Sequence, residues 1–491
     1  MQKLIKKAEE FLDREQVWKW GSILVFLLAN ILFGYLAFGK TFHYDEAYSI
    51  GLSRNGFKDI IDITSNDVHS PFYYFLLKLF CMLPGVSMFW GAKVFSWIFM
   101  CMFMVFGGNV VYRRYGWQVT FFWTLLAGFV PSMMIQSTTV RMYTIGLFLV
   151  TVASYMAYSI FEKETLKKWV VFTVFSIAAV YIHTFCMLEM VLVYGIFIVV
   201  ALVKKRFKMV GKAFVSGIVV SIAFFPWLFS LWQQFVRWAG WESGWTSSFL
   251  PVSLESSTII LSEWFSSMEK PLGIAVLFYV IVMIYAGYHV RDYVKEKKDY
   301  LPCVAMILVG LLLLVATIVS NYIVPCFLGR YALPLFGGVW LFVAIGLSRS
   351  DGNIKKVIIA FLIICFGLAA FREEVRLEND EGLQGFHQYV ENQMDLSEDV
   401  IMADRYFNAM FSIFYEDSKY MVFGSKPAGL PFKNVGVFTD WEQLEGVDTV
   451  WFISFADNPG AGLSPEVFEA VESFQFDYSY YHIKVEKMVR K

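Results

Sequence analysis

Long apolar segments separated by short basic clusters make up the chain as far as residue 371. A membrane-spanning helix needs about 20 mostly apolar residues, and cytoplasmic loops are enriched in Lys and Arg. If all the basic clusters are cytoplasmic, an even number of crossings must separate each neighbouring pair. The clusters are Lys3/Lys6/Lys7, Arg113-Arg114, Lys167-Lys168, Lys204-Lys205-Arg206, Lys295/Lys297/Lys298 and Lys355-Lys356.

This rule predicts eleven spans, with the N-terminus inside and everything after residue 372 outside. The spans are 21–40, 88–111, 118–139, 141–161, 169–183, 186–203, 211–231, 271–290, 301–323, 331–347 and 354–371. The fifth and sixth must share one apolar run around His183. The apolar stretch 72–83 is too short to cross and contains Lys78, so we predict an interfacial or re-entrant helix there.

The pattern changes after residue 372, where short β-like runs alternate with helix-like stretches. Strands are predicted at 399–404, 419–424, 435–440 and 449–455, and helices at 382–393 and 464–474. The fold class is therefore mainly α: a polytopic helical bundle over 1–372, including a first outer loop at 41–87, and a small extracytoplasmic α/β domain over 373–491.

Composition agrees with a multi-pass protein of the cell membrane. The 491 residues are 57% hydrophobic and 17% charged, and this composition is too apolar for a soluble globular domain. The net charge of -1 excludes a strongly basic nucleic-acid binder. The six cysteines are scattered through the apolar part and show neither metal-ligand spacing nor a disulfide framework. The basic N-terminus is expected to precede an uncleaved anchor.

The first outer loop concentrates ionisable residues. Asp45 and Glu46 follow the first span, and Asp67 and His69 come after an amphipathic segment at 57–62. A helix over that segment would lie in the membrane interface and fold the second acidic turn back against the first. Such a cluster can activate a hydroxyl or hold a divalent cation. The alternative is a solvated loop in which Asp45 caps a helix.

Two arginines on the predicted outer side go against the charge rule. Arg141 and Arg330 each stand at the outer end of a predicted span, so each needs an anionic partner, and a lipid phosphate would serve both. Snorkelling to the interface is the alternative. His183, at an outer turn, is either a ligand or a hydrogen-bonded interface residue. Gln136 and the loop with Gln233, Trp238, Trp241 and Trp245 could bind a sugar or lie on the membrane.

Five ordered motifs carry a resemblance to a known family. They are Asp45-Glu46, "DVHSPFYY" at 67–74, "TVRMYTIG" at 139–146, "YIHTF" at 181–185 and "GRYALP" at 329–334. Together with the predicted topology, they resemble the polytopic GT-C glycosyltransferases, in the protein O-mannosyltransferase and aminoarabinose-transferase branch. The resemblance covers about residues 20–350 and includes an extracytoplasmic C-terminal domain.

The resemblance implies a polyprenyl-phosphate sugar donor that is used on the outer face. It implies Asp45 as catalytic base, accompanied by Glu46, and Arg141 and Arg330 near the donor phosphate, where we also place Tyr331. Asp67 and His69 match a second acidic motif, and His183 falls where some relatives have a histidine. We assign Asp67, His69, Tyr73, Gln136, Tyr143 and Gln233 to substrate binding. The resemblance leaves a divalent metal open, with Asp67, His69 and His183 as its candidate ligands.

The chemistry that follows is a single displacement. An acceptor hydroxyl or amine on a glycan, lipid or protein would lose its proton to Asp45 and attack the anomeric carbon, with inversion. Membrane lipids are the other expected partners. A transporter or flippase for a lipid-linked precursor is the main alternative, although such sites usually lie near the bilayer midplane. A scaffold that binds wall polymer is a third, and it would not need the acidic cluster.

Overall fold

A computed structural model of the chain gives the fold. It describes residues 2–39, 41–239, 253–266, 273–297, 299–323, 326–378, 381–395, 398–403, 412–414, 419–422, 435–438, 441–455, 467–478 and 481–491. The chain is mainly helical, with a small sheet near its C-terminal end. Contacts divide it into two compact units. The first comprises Met1–Phe38, Val68–Tyr73 and Lys93–Glu373, and the second comprises Gly39–Asp67, Tyr74–Ala92 and Glu374–Lys491.

The described residues before the C-terminal part form seventeen α-helices. They are α1 Gln2–Leu12, α2 Glu15–Ala37, α3 Tyr44–Arg54, α4 Phe57–Ser65, α5 Phe72–Cys81, α6 Met88–Tyr115, α7 Trp117–Phe129, α8 Pro131–Gln136, α9 Tyr143–Glu162, α10 Leu166–Ile182, α11 Thr184–Val203, α12 Phe207–Ala239, α13 Leu254–Phe265, α14 Gly273–Lys297, α15 Leu301–Tyr322, α16 Phe336–Arg349 and α17 Asn353–Glu378. A 3₁₀ helix, Gly329–Leu335, leads directly into α16.

Each of the eleven predicted spans overlaps at least one helix, but within the described residues only nine helices are long and apolar enough to cross a membrane. The two exceptions have clear physical causes. Pro131 cannot continue the hydrogen-bond ladder, and Val130 before it is extended, so the segment predicted as 118–139 is broken into α7 and α8. Helix α10 is apolar, but it ends after 17 residues at the extended residue His183.

Close helix packing in the first unit depends on small residues. Gly346 of α16 lies against the backbone of Ala286 in α14, and a Cβ at Gly346 would stand 2.3 Å from the Ala286 carbonyl oxygen. Small residues at such crossings let two helix backbones approach each other. Larger side chains fill the space elsewhere. The fully buried Trp123 of α7, for example, donates from Nε1 to the Gly337 carbonyl at 3.0 Å.

One carboxylate joins the ends of several helices at the end of the bundle that carries the basic clusters. Asp299, between α14 and α15, accepts hydrogen bonds from Arg114 Nε at 3.2 Å and from the Tyr115 hydroxyl at 2.9 Å. The hydroxyls of Tyr293 and Tyr158 lie 3.3 Å and 3.4 Å from the same carboxylate. Helices α6, α9, α14 and α15 therefore meet at this one side chain.

The second unit contains the first outer loop and the C-terminal sheet. In the loop, α4 is amphipathic as predicted, with Ile60 fully buried and Phe57 and Ile61 exposed. Tyr44 at the start of α3 packs against the core of the C-terminal part. Arg54 at the end of α3 donates to the Ile413 carbonyl at 3.1 Å. Most of the loop 41–87 thus belongs to the same unit as residues 374–491. The C-terminal part of this unit begins at Glu374, close to the predicted domain boundary between residues 372 and 373.

The sheet has six strands in the order β3-β2-β1-β4-β6-β5. The strands are β1 Val400–Ala403, β2 Lys419–Val422, β3 Val435–Val437, β4 Thr449–Phe455, β5 Phe468–Tyr478 and β6 Tyr481–Arg490, and helix α18 Glu381–Gln393 precedes them. The first four strands are parallel, and β6 pairs antiparallel with both β4 and β5. Alternate residues of β1 and β4 fill two cores, and α18 covers one of them through Phe386 and Val390.

The helix predicted at 464–474 is wrong, because residues 468–474 lie in β5. Their sequence "FEAVESF" has apolar residues at 468, 471 and 474, a spacing that fits a helix. The long hairpin with β6 decides the conformation instead, since ten residue pairs connect the two strands around a bulge at Ala470/Glu472. The predicted α18 and the four strands before β5 are confirmed, and no end differs by more than three residues.

Candidate active site

The acidic start of α3 is held by a capping bond. His43 is the N-cap residue, where the sequence suggested Asp45, and its backbone amide donates to Glu46 Oε2 at 3.0 Å. Glu46 is the third residue of the helix, the position from which a Glu side chain reaches back to the cap. It is buried, whereas Asp45 is half-buried in the first turn. Glu46 therefore has a structural task, which leaves Asp45 as the better candidate for chemistry.

The second acidic turn folds back on α3, as predicted. The Tyr48 hydroxyl on α3 donates to Asp67 Oδ2 at 2.8 Å. Burial and then the neighbouring Asp67 carboxylate raise the pKa of Tyr48 well above its usual value. The phenol therefore remains protonated and keeps donating to Asp67.

In the first unit, His69 and Arg141 form a buried pair. Arg141 Nη2 lies 2.9 Å from His69 Nε2, and both residues are less than 9% exposed. A guanidinium can only donate, so His69 Nε2 must accept and its proton must sit on Nδ1. Two further contacts hold this segment. Gln234 Nε2 donates to the His69 carbonyl at 3.4 Å, and the Ser70 hydroxyl donates to the Tyr181 carbonyl.

His183 lies in the turn between α10 and α11, as predicted, and caps α11 by accepting from the Phe185 amide at 3.2 Å. Its ring is 6.2 Å from that of His69. Burial lowers the pKa of His183 well below its usual value, and the neighbouring His69, Arg141 and Arg330 side chains lower it further. His183 is therefore neutral at physiological pH, and the two arginines lie close enough to act on the same ring.

The 3₁₀ helix positions Arg330. Its Nε donates to the Tyr143 hydroxyl at 3.0 Å, and its Nη1 lies 3.8 Å from Glu263 of α13. Tyr331 packs beside this group, with its ring 4.8 Å from His183 and 6.4 Å from Tyr143. The structure thus brings together Arg141, His69, His183, Tyr143, Arg330 and Tyr331, which the motifs had separated by up to 262 residues.

The chemistry of this group of residues suits an anion. One region contains the guanidinium groups of Arg141 and Arg330, the neutral imidazole of His183 and the hydroxyl of Tyr143. The carboxyl group of Glu263 lies beside Arg330. Burial raises the pKa of Glu263, although Arg330 and the backbone amides of Gly329 and Arg330 oppose that rise. Buried guanidinium groups bind phosphate strongly because competing water is excluded and two parallel hydrogen bonds can form.

The remaining predicted site residues lie in different surroundings, some buried and some exposed. Gln136 ends α8, and its amide oxygen is buried with no hydrogen-bond partner in the described part of the chain. Tyr73 is fully buried, and the centre of its ring lies 6.3 Å from that of Phe95. Gln233 is exposed on α12, and its neighbour Gln234 makes the contact with His69. The predicted Trp241 and Trp245 lie outside the described residues.

The metal prediction finds no support. In the described ranges, no group of three His, Cys, Asp or Glu side chains is arranged to hold a metal ion. At His69, the Arg141 guanidinium contacts Nε2, which leaves only Nδ1 for a cation. The assignment of Asp67, His69 and His183 as metal ligands therefore remains a prediction.

Among the buried polar residues that sequence reasoning missed are Lys93, Glu189, Gln234 and Glu263. Lys93 and Glu189 each interrupt a long apolar stretch of the sequence, which is a detectable signal, since a charge in a spanning segment is costly. Gln234 could not be told from Gln233 without the phase of α12. Glu263 lay in a segment with no predicted element.

Comparison with known proteins adds the fold relationship. No protein-family profile and no curated protein matches the sequence. Two solved structures match almost the whole chain at 9% identity and a TM-score of 0.62. They are ArnT from Cupriavidus metallidurans in the apo state, covering 95% of this chain and 98% of that one, and the same protein bound to undecaprenyl phosphate, covering 94% and 97%. The chain therefore has the ArnT-like polytopic fold, as the predicted GT-C architecture required.

Proposed function

We propose that this protein is a membrane glycosyltransferase that transfers a sugar from a polyprenyl-phosphate donor to an acceptor hydroxyl or amine. The observation that carries the proposal is the pair of arginines, Arg141 and Arg330, gathered around His183 in an ArnT-like fold. One of the similar ArnT structures was solved with undecaprenyl phosphate bound. A lipid phosphate is the natural ligand for two cations inside a bundle of apolar helices.

The arginines would act on the leaving group. As the bond between the anomeric carbon and the phosphate oxygen breaks, negative charge grows on the lipid phosphate, and guanidinium groups stabilise that charge. Because the phosphate is already a good leaving group, no separate general acid is needed. Tyr143 and Tyr331 complete the surroundings of Arg330, and His183 contributes a neutral ring.

Asp45 is the proposed general base. It would take the proton from the acceptor as the acceptor oxygen or nitrogen attacks the anomeric carbon, so that one bond forms, one breaks and the configuration inverts. Its assignment follows from the sequence resemblance and from its place beside the capped Glu46 in α3. Reaction on the outer face, with a glycan, lipid or protein acceptor, belongs to the same proposal.

The test is a transfer assay with purified protein in liposomes. Radiolabelled polyprenyl-phosphate sugars serve as the donor, and a cell-envelope extract serves as the acceptor. Wild type is compared with Asp45→Asn and with the matched control Asp62→Asn, at an exposed position of α4. We expect transfer by wild type and Asp62→Asn, and at least about a hundredfold loss in Asp45→Asn. Equal transfer by Asp45→Asn would remove it as the base. A chelator in a parallel reaction tests the predicted divalent metal.

One observation favours a transporter as the second candidate. Glu189 is fully buried in α11, and neither carboxylate oxygen has a hydrogen-bond partner among the residues that the structure describes. A carboxyl group inside a spanning helix is typical of proton- or ion-coupled transport. Movement of a fluorescent polyprenyl phosphate across proteoliposomes, without sugar transfer and abolished by Glu189→Gln, would establish transport instead.

A further inference from the structure

Helix α13 brings a buried carboxylate to the back of Arg330. Glu263 has a side-chain exposure of 5%, whereas Arg330 retains 24%, and 3.8 Å separates Glu263 Oε1 from Arg330 Nη1. The arginine is therefore the more accessible partner, and the carboxylate lies on its protein side. This is the order expected when one residue meets a ligand and a second residue orients it.

The contact between α13 and the 3₁₀ helix leaves little room for Glu263 to move. Trp264 Nε1 donates to the Gly329 carbonyl at 2.6 Å. A Cβ at Gly329 would stand 2.4 Å from Glu263 Oε2 and 3.1 Å from the Ile260 carbonyl oxygen. Only glycine permits so close an approach without a shift of the surrounding atoms. Glu263 is thus pressed against the residue that precedes Arg330.

Arg330 is consequently held on two sides. Tyr143 binds its Nε at 3.0 Å, and Glu263 attracts its Nη1 end. At 3.8 Å the carboxylate attracts the guanidinium but is too distant for a hydrogen bond, so it does not use up a donor. A guanidinium fixed in this way can present its donors to phosphate with less loss of conformational entropy than a mobile side chain.

We infer that Glu263 is a positioning residue for Arg330, which it holds in the orientation that binds the phosphate of the donor lipid. The inference rests on the proposed function and adds to it a residue that no sequence motif indicated. The direction of the change in anion affinity on removal of Glu263 distinguishes this role from simple charge neutralisation. If Glu263 only neutralised the site, its removal would leave more positive charge and an anion would bind more tightly. A positioning residue has the opposite effect, because its loss lets Arg330 move.

The experiment measures binding of undecaprenyl phosphate to the full chain in detergent, by the change in tryptophan fluorescence. The variants are Glu263→Gln, Arg330→Gln, Arg141→Gln and the doubles that combine Glu263→Gln with each arginine change. We expect about tenfold weaker binding for Glu263→Gln. In the Arg330→Gln background, Glu263→Gln should have no further effect, whereas in the Arg141→Gln background it should multiply.

The outcomes separate this inference from the proposed function. Equal or tighter binding by Glu263→Gln, in a protein with an unchanged melting temperature, would overturn the positioning role alone. Multiplicative effects of Glu263→Gln and Arg330→Gln would do the same, since they would show that Glu263 does not act through Arg330. Failure of wild type to bind undecaprenyl phosphate would overturn the proposed function, and this inference with it. A Glu263→Asp variant that regains part of the affinity would support the role of the charge.

Discussion

Arg141 is the residue whose geometry is most specific in the candidate site. It is buried, and His69 accepts a hydrogen bond from one of its terminal nitrogens. Lysine keeps the positive charge but loses the planar fork, so Arg141→Lys should lower kcat/KM for sugar transfer by about tenfold or more. Arg237→Lys, an exposed arginine at the end of α12, is the matched control and should stay near wild type. Equal activities of the two variants would contradict a bidentate role for Arg141.

His183 links the site to pH. Because its pKa in the folded protein is lowered, the folded state keeps it neutral while the unfolded state binds a proton below its ordinary value of 6.5. Stability is therefore complete above pH 6.5 and should fall with decreasing pH by up to about 1.4 kcal/mol per pH unit. Asparagine can cap α11 without titrating, so His183→Asn should flatten the fall in melting temperature between about pH 7.5 and 5.5. Parallel curves for the two proteins would refute this.

At this scale, chain order alone predicted the charged members of the site but not their partners. Arg141, Arg330 and His183 stand out because polar residues at the ends of apolar segments are costly without a purpose. The choice between Gln233 and Gln234 depends on which face of α12 meets His69, and a single sequence does not determine that face. Glu263 was invisible because its importance comes from Arg330, 67 residues later.

At the scale of elements, the crossing of α14 and α16 offers a test of packing. A methyl group on Gly346 would meet the carbonyl oxygen, carbonyl carbon and Cα of Ala286 at 2.3–2.6 Å, so the two helices must separate. We expect Gly346→Ala to lower the free energy of unfolding by about 2 kcal/mol or more. Gly310→Ala on α15 is the matched control, since nothing lies within 4 Å of its added carbon. It should be neutral or slightly stabilising through helix propensity. Melting temperatures in detergent compare the two, and a similar loss in both would argue against a specific crossing.

The sequence predicted an element correctly where its hydrophobic pattern was long. Prediction failed where pairing with a distant segment determined the secondary structure. The apolar runs place every predicted span on a helix, because length and hydropathy are local properties. Pro131 also carried a local signal, but a proline can kink a spanning helix or end it, and the outcome depends on its neighbours. Strand β5 shows the opposite limit, since its helix-like spacing yields to a hairpin with β6.

At the scale of the whole bundle, Asp299 tests whether one carboxylate joins the helix ends. Burial opposes its ionisation, but the Leu301 amide, Arg114 and Tyr115 outweigh burial and lower the pKa of Asp299 below its usual value of 3.8. The charged form is therefore present at physiological pH, and its contribution to stability should disappear only as pH falls below about 4. Asp299→Asn should cost about 1–3 kcal/mol, because Arg114 Nε and the Tyr115 hydroxyl lose a charged acceptor while Glu162 still pairs with Arg114. Asp292→Asn, in the exposed pair with Arg291, should cost less than about 0.5 kcal/mol. Chemical unfolding in detergent at neutral pH distinguishes these values.

The number of crossings is the property of the whole molecule that most affects the proposal. Nine spans and eleven spans agree on the sides of both chain ends, but they differ for the loop between α9 and α10. If α7–α8 and α10 do not cross, Lys167 faces the outside, which disagrees with the contact between Arg114 at the end of α6 and Glu162 at the end of α9. If they do cross, Lys167 faces the cytoplasm with the other basic clusters. Together α7 and α8 extend over about 30 Å, enough for one crossing, which favours eleven spans.

A single exposed cysteine decides between these topologies. In a variant without the six native cysteines, Lys167→Cys should react with a membrane-impermeant maleimide only after the cells are permeabilised. Lys208→Cys, inside in either topology, and Glu472→Cys, outside in either, are the matched controls on exposed positions. The same parity places Arg141 at the outer end of α9, whereas labelling of Lys167→Cys in intact cells would place Arg141 inside and leave Arg330 outside. The two arginines could then not bind one donor phosphate, and the proposed site would be wrong.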